Sequence, residues 1–227
     1  AFGCYAADAN TSGEGNTAAG YNSFSGNTTG SYNTAYGAGS LAVSNGANNT
    51  AIGQNALAAN TTGASNVAFG QGALYANTTA SNNTALGRSA LAANTTGTDN
   101  TAVGYGALDA VSTTSENTAV GKHALGQNTS SGNTAVGNLA LAVNSTGSAN
   151  VAVGGNSLDA NTTGSDNVAC GYGALGANTT ASSNTAVGRN ALLANTTGDE
   201  NTAVGAYALD ANTTGIDNDA FGVYTLS

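Results

Sequence analysis

The 227-residue chain has very few charges: 7% of its residues are charged, against roughly 25% in an ordinary globular domain. Only three are cations, Arg88, Lys122 and Arg189, set against a net charge of −9. No basic patch can be built from three residues, which argues against nucleic-acid binding and a polybasic membrane-surface site. No apolar run approaches the ~18 residues that suggest a membrane span, so no membrane insertion is expected. The two cysteines, Cys4 and Cys170, lie about ten repeat units apart with no metal-ligand spacing. They predict neither a disulfide framework nor a metal site. Methionine is absent, and so is any signal-peptide pattern. Low charge with abundant Gly, Asn, Thr and Ser resembles a disordered composition. However, 40% of residues are hydrophobic and they recur at fixed positions, unlike disordered segments.

What is present is a repeat. An Asn-x-Ala-x-Gly pentad occurs thirteen times, first at Asn16 and last at Asn218. The spacing is 17 residues in ten of the twelve steps and 16 in the steps Asn33 to Asn49 and Asn117 to Asn133. The chain opens at Ala1-Phe2-Gly3 and closes at Ser227, both inside a unit, which reads as a single repeat domain over 1–227 cut from something longer. With the pentad Asn as position one, position three is Ala and position five Gly in every copy. Position nine is Phe24 in the first copy and Leu thereafter, and position twelve is usually Asn, often followed by Thr-Thr-Gly.

This pattern predicts an all-β parallel solenoid, or β-roll, of about 13 coils with a 17-residue repeat. Gly at every position five argues against helices. Each unit holds two short extended stretches, around TAVG and ALxA, each followed by a Gly/Asn-rich bend. The two shortened steps fall in bends, where a one-residue deletion does not flip the side chains beyond it.

Position four is apolar in most copies and, with the Leu of position nine, is expected to fill the core: Val103, Val120, Val136, Val153, Cys170, Val187 and Val204 with Leu108, Leu125, Leu141, Leu158, Leu175, Leu192 and Leu209. Cys170 is then a small buried hydrophobe. Since neighbours in a strand face opposite ways, Ala102, Ala119, Ala135, Ala152, Ala169, Ala186 and Ala203 are expected on the outside. There they form a flat small-residue face suited to another chain, or else Ala simply fits a tight bend. Asn100, Asn117, Asn133, Asn150, Asn167, Asn184 and Asn201 are expected to form an amide ladder that caps the bends. The Asn-Thr-Thr triplets also match the glycosylation sequon, but a turn ladder accounts for their periodicity without a modification.

Chemistry is harder to find. The single histidine, His123, sits at a variable position, and Ser and Thr have no base beside them; no enzyme activity and no cofactor are expected. Asp99, Glu116, Asp166, Glu200 and Asp217 each precede a pentad Asn, and Asp109, Asp159 and Asp210 share a second position. No calcium nonapeptide accompanies them, and they read as a solvated face. Cys4 is at a variable, exposed position where it could link to another chain. Tyr105, Tyr172 and Tyr207, one or two residues after the pentad Gly, are candidate contacts for a glycan or protein ligand, with packing between coils as the competing reading.

The pentads, such as Asn100-Thr101-Ala102-Val103-Gly104, resemble the head repeat of YadA-type trimeric autotransporter adhesins. The longer unit starting at Asn184, NTAVGRNALLANTTGDE, is also similar to repeats of phage tail fibres and bacterial surface proteins that carry endosialidase-type chaperone domains. The resemblance spans essentially the whole chain, although this unit is longer than the usual adhesin head unit. It implies a left-handed parallel β-roll, a homotrimer, and an extracellular, cell-surface or virion location. The expected function is a rigid shaft of a fibre or adhesin that presents a recognition surface to glycans or protein receptors. Two alternatives are a self-assembling extracellular filament and an ice-binding solenoid. A partial Thr column at position two (Thr101, Thr118, Thr134, Thr185, Thr202) favours the latter; Val67, Val151, Val168 and Asp219 interrupt it.

Overall fold

The computed structural model describes residues 1–227. The protein is all-β, with thirteen strands of three residues each and no helix. It divides into two compact units, Ala1–Glu116 and Asn117–Ser227. The first holds β1 (Thr17–Ala19), β2 (Thr34–Tyr36), β3 (Thr50–Ile52), β4 (Val67–Phe69), β5 (Thr84–Leu86) and β6 (Thr101–Val103). The second holds β7 (Thr118–Val120), β8 (Thr134–Val136), β9 (Val151–Val153), β10 (Val168–Cys170), β11 (Thr185–Val187), β12 (Thr202–Val204) and β13 (Asp219–Phe221). Within each unit every strand pairs in parallel with the next, one strand per coil, so each unit is a parallel β-solenoid.

Equivalent positions stack on one another. Ala152 faces Ala169, and Ala169 faces Ala186. The register survives both shortened repeats, with Thr34 opposite Thr50 and Thr118 opposite Thr134. The missing residues therefore lie in the bends, as the sequence predicts.

The second expected extended stretch is not a strand. From position five onward the chain makes two successive turns, as in Ala174 N–H to Gly171 O at 3.2 Å and Asn178 N–H to Leu175 O at 3.1 Å. The first is closed by a residue of positive φ at position seven, which Gly173, Asn156 and Asn190 tolerate well and which His123, Leu139 and Tyr207 also adopt. The Leu of position nine also has φ near +52°, unusual for this side chain. The coil over-determines it: the Leu158 N–H bonds to Ala174 O of the next coil at 3.0 Å, while the side chain is fully buried.

The strand runs the opposite way round from the sequence expectation. Alternation holds, but Ala at position three points inward and position four points out. Ala102, Ala119, Ala135, Ala152, Ala169, Ala186 and Ala203 are fully buried, so they cannot form an inter-chain face. Val103, Val120, Val136, Val153, Val187 and Val204 are half-buried or exposed and do not belong to the core. Cys170 is exposed, not a buried hydrophobe. Space explains the inversion. A 17-residue coil has a contour of roughly 56 Å, much of it spent on bends, and encloses room for one column of large side chains. Leu125, Leu141, Leu158, Leu175 and Leu192 occupy that column at 0% exposure, with Leu209 at 4%, and Leu108 does the same in the first unit. The facing strand can contribute only a methyl group. Each buried Leu is worth about 1.5–3 kcal/mol relative to exposure.

Beside a further buried Ala column at position eight, such as Ala124, Ala174 and Ala191, the rest of the interior is largely polar. The expected Asn ladder is present and fully paired: Asn150 N–H donates to Asn133 Oδ1 at 3.0 Å and Asn167 N–H to Asn150 Oδ1 at 3.1 Å. A second ladder at position twelve runs beside it, with Asn161 Nδ2 donating to Asn144 Oδ1 at 2.8 Å and Asn178 Nδ2 to Asn161 Oδ1 at 2.8 Å. Both ladders converge on one carbonyl per coil. Gly164 O accepts Asn150 Nδ2 at 2.8 Å and Asn161 Nδ2 at 3.0 Å. No buried side-chain polar atom lacks a partner, which lets so polar a core be stable.

Candidate binding surfaces

With the core assigned, the outward columns define what the protein can offer to a partner. On the strand face, positions two and four project together. In the second unit the face carries Thr118, Thr134, Thr185 and Thr202 in one column and Val120, Val136, Val153, Val187 and Val204 in the other, each pinned in register. Val153 is 36% exposed. In the first unit the same face is bulkier, with Phe69 at 50% and Tyr36 at 62% exposure. The result is a regular strip of apolar and β-branched side chains on short strands held rigidly from behind.

The second surface lies across the turns, where positions six, seven and ten project. In the second unit an open groove of about 540 Å³ is lined there by Asn156, Asp159, Tyr172, Asn190 and Leu193. Its floor is Gly176; a Cβ there would meet Leu193 Cδ1 at 3.2 Å and Asp159 Oδ1 at 3.6 Å. Tyr172 lies over Gly155, and its hydroxyl accepts from Asn156 Nδ2 at 3.4 Å. Burial raises the Asp159 carboxyl above its usual pKa, partly offset by the backbone N–H groups of Asp159 and Ala160. In the first unit a groove of about 480 Å³ occupies the same positions of the coil, lined by Tyr5, Asp8, Tyr21 and Asn22. There Tyr5 and Tyr21 meet edge to face, 6.1 Å between centroids.

The three tyrosines singled out from the sequence thus have different surroundings. Tyr172 lines the groove. Tyr207 is held between Arg189, 5.8 Å from its centroid, and Tyr224, stacked at 5.0 Å. Tyr105 lies under the Arg88 guanidinium at 5.7 Å. Tyr207 and Tyr105 thus pack against side chains of neighbouring coils. Sequence reasoning missed Asp8 and Asn156 as neighbours of tyrosines. The signal was there: each Asp of position ten (Asp8, Asp109, Asp159, Asp210) has a Tyr at position six or seven of its own or the next coil.

The acids that precede the pentad Asn are exposed, and Asp99, Glu116, Asp166, Glu200 and Asp217 all have φ between 56° and 61°. Asp is among the side chains that tolerate this left-handed conformation, which gives the three Asp of this column a backbone reason to be there. No group of three His, Cys, Asp or Glu is placed to hold a metal. His123 is half-buried, also at positive φ. Thr61 and Thr162 of the Asn-Thr-Thr triplets bond through Oγ1 to the carbonyl of the next coil at 2.9 Å, so these threonines have a structural role. Comparison with family models, curated proteins and solved structures returns no match.

Proposed function

We propose that this protein is a structural and binding segment of an extracellular fibre or adhesin, in which copies of the chain pack through their strand faces. The observation that carries this reading is the outward strip of positions two and four. A contiguous, exposed apolar surface on a rigid backbone is characteristic of protein contacts, and here it repeats in every coil. The resemblance of the pentads to trimeric adhesin heads supports three copies. The coil stack behind the strip is fastened by two buried amide ladders and a Leu column, which suits a stiff shaft that displays a ligand-binding surface on its turns.

The test is the solution mass of the chain by light scattering over a concentration series. A stable mass three times that of the chain is expected. Val153→Asp with Val187→Asp, both outward, should return it to a folded monomer. A wild-type monomer at every concentration would sink the packing reading, and mass that grows without limit would favour a filament. Cys170 gives a second readout: in the assembled state it should be protected from a maleimide while Cys4 stays reactive.

One observation favours a second reading, an ice-binding solenoid. Two outward columns, Thr and Val, lie in register on parallel strands, a regular array able to order water. Val151 and Asp219 interrupt the Thr column. Thermal hysteresis in dilute solution would support it over chain packing.

A further inference from the structure

We infer that the two turn-face grooves are binding sites for neutral saccharide chains, one in each unit. The inference rests on the fibre reading above, whose recognition surface it assigns. Three features of the grooves point to this ligand class. Each presents an exposed aromatic ring beside a carboxylate and a primary amide: Tyr172 with Asp159 and Asn156, and Tyr21 with Asp8 and Asn22. A sugar ring has an apolar C–H face and a rim of hydroxyls that both donate and accept. Tyrosine supplies a flat apolar surface with a polar edge, the carboxylate accepts hydroxyl protons, and the amide does both.

The second feature is shape. In the second unit, glycine at positions seven and ten of one coil opens a notch between Asp159 and Leu193. A notch of about 540 Å³ is the size of a small-molecule site, and it is open at the surface, so a polymer can enter it with one residue and continue beyond. The third is charge. A chain of net charge −9 with an aspartate in each groove repels acidic and sulfated polysaccharides. The two neutral amides of the second groove, Asn156 and Asn190, suit hydroxyls better than a cation. The same constellation arises independently in the two units from different repeats.

The experiment titrates the full chain with soluble neutral oligosaccharides (gluco-, manno-, galacto- and N-acetylglucosamine series) by calorimetry and tyrosine emission. With no Trp present, emission reports the tyrosines alone. The expected result is two equivalents bound per chain for at least one series. Tyr172→Ala should leave one. Gly176→Leu, which copies Leu193 of the next coil and fills the notch while Tyr172 and Asp159 themselves stay unsubstituted, should also leave one. Tyr5→Ala with Tyr21→Ala should remove the other, each loss at least tenfold in affinity with an unchanged circular dichroism spectrum. No binding by any series up to about 10 mM, binding that ignores all three variants, or preference for a lysine oligopeptide would overturn the inference. Solution mass measured on the same samples separates the two readings. A trimer that binds no saccharide refutes the grooves alone. A monomer that binds two refutes the chain-packing reading alone.

Discussion

Replacing Asn161 by Ala tests whether the buried amide ladder holds the coils together. Asn161 is fully buried. Its Nδ2 donates to Asn144 Oδ1 at 2.8 Å and to Gly164 O at 3.0 Å, and its Oδ1 accepts Asn178 Nδ2 at 2.8 Å. Gly164 O keeps Asn150 Nδ2, and Asn178 Nδ2 keeps Ala181 O at 3.0 Å. Three hydrogen bonds are lost; the one to Gly164 O leaves that carbonyl its other donor, while the two ladder bonds count about 1 kcal/mol each, together with a cavity the size of an amide group, about 1 kcal/mol more. The expected destabilisation is about 3 kcal/mol. Asn161→Val should cost about 2 kcal/mol, because it fills the cavity but still lacks the ladder bonds. The protein contains its own precedent: Val111 stands at this position, fully buried, and Asn94 one coil earlier turns its Oδ1 to accept the Gly97 N–H at 3.1 Å. Urea unfolding followed by far-UV circular dichroism gives the midpoints, compared only if the slope is unchanged, since repeat arrays can lose two-state behaviour. If Ala costs less than about 1 kcal/mol, or less than Val, the reasoning fails.

Gly154→Ala should destabilise by more than 3 kcal/mol or prevent folding, because φ is 133° and a Cβ would lie 2.6 Å from the carbonyl carbon of Gly171, neither of which can yield; soluble yield and thermal midpoint report this. Ala152→Val should also destabilise, by about 1–3 kcal/mol from overpacking, whereas Val153→Thr, facing out, should change the thermal midpoint little. Burial raises the pKa of Asp159 in the folded state above 3.8, so the folded chain binds more protons in that window and this residue's contribution to stability falls as pH rises through it. Asp159→Asn should therefore be no less stable than wild type at neutral pH, and any advantage should shrink as the pH falls through the raised pKa toward 3.8; a growing advantage on acidification would contradict the sign. A maleimide should label both Cys4 and Cys170 in the folded monomer without denaturant, and protection of Cys170 there would contradict its outward placement.

The sequence by itself determined the repeat, the all-β solenoid, the Leu column and the Asn ladder of position one. Each of these follows from a residue recurring at one place in a coil that must stack on its own copy. It also located the two shortened bends, since only a bend absorbs a one-residue change without reversing Ala51 or Ala135. Which face of the strand points inward was decided only by the tertiary structure. Alternation says that Ala152 and Val153 oppose each other, but not which is inside. Hydropathy chooses Val; the width of the coil, already filled by Leu158 and two rows of amides, chooses Ala. The positive φ of Leu158 and the meeting of Asn150 and Asn161 on one carbonyl were equally hidden. They depend on how the chain closes around its core, which sets the turn at Leu158 and carries the side chains of positions one and twelve to the same acceptor.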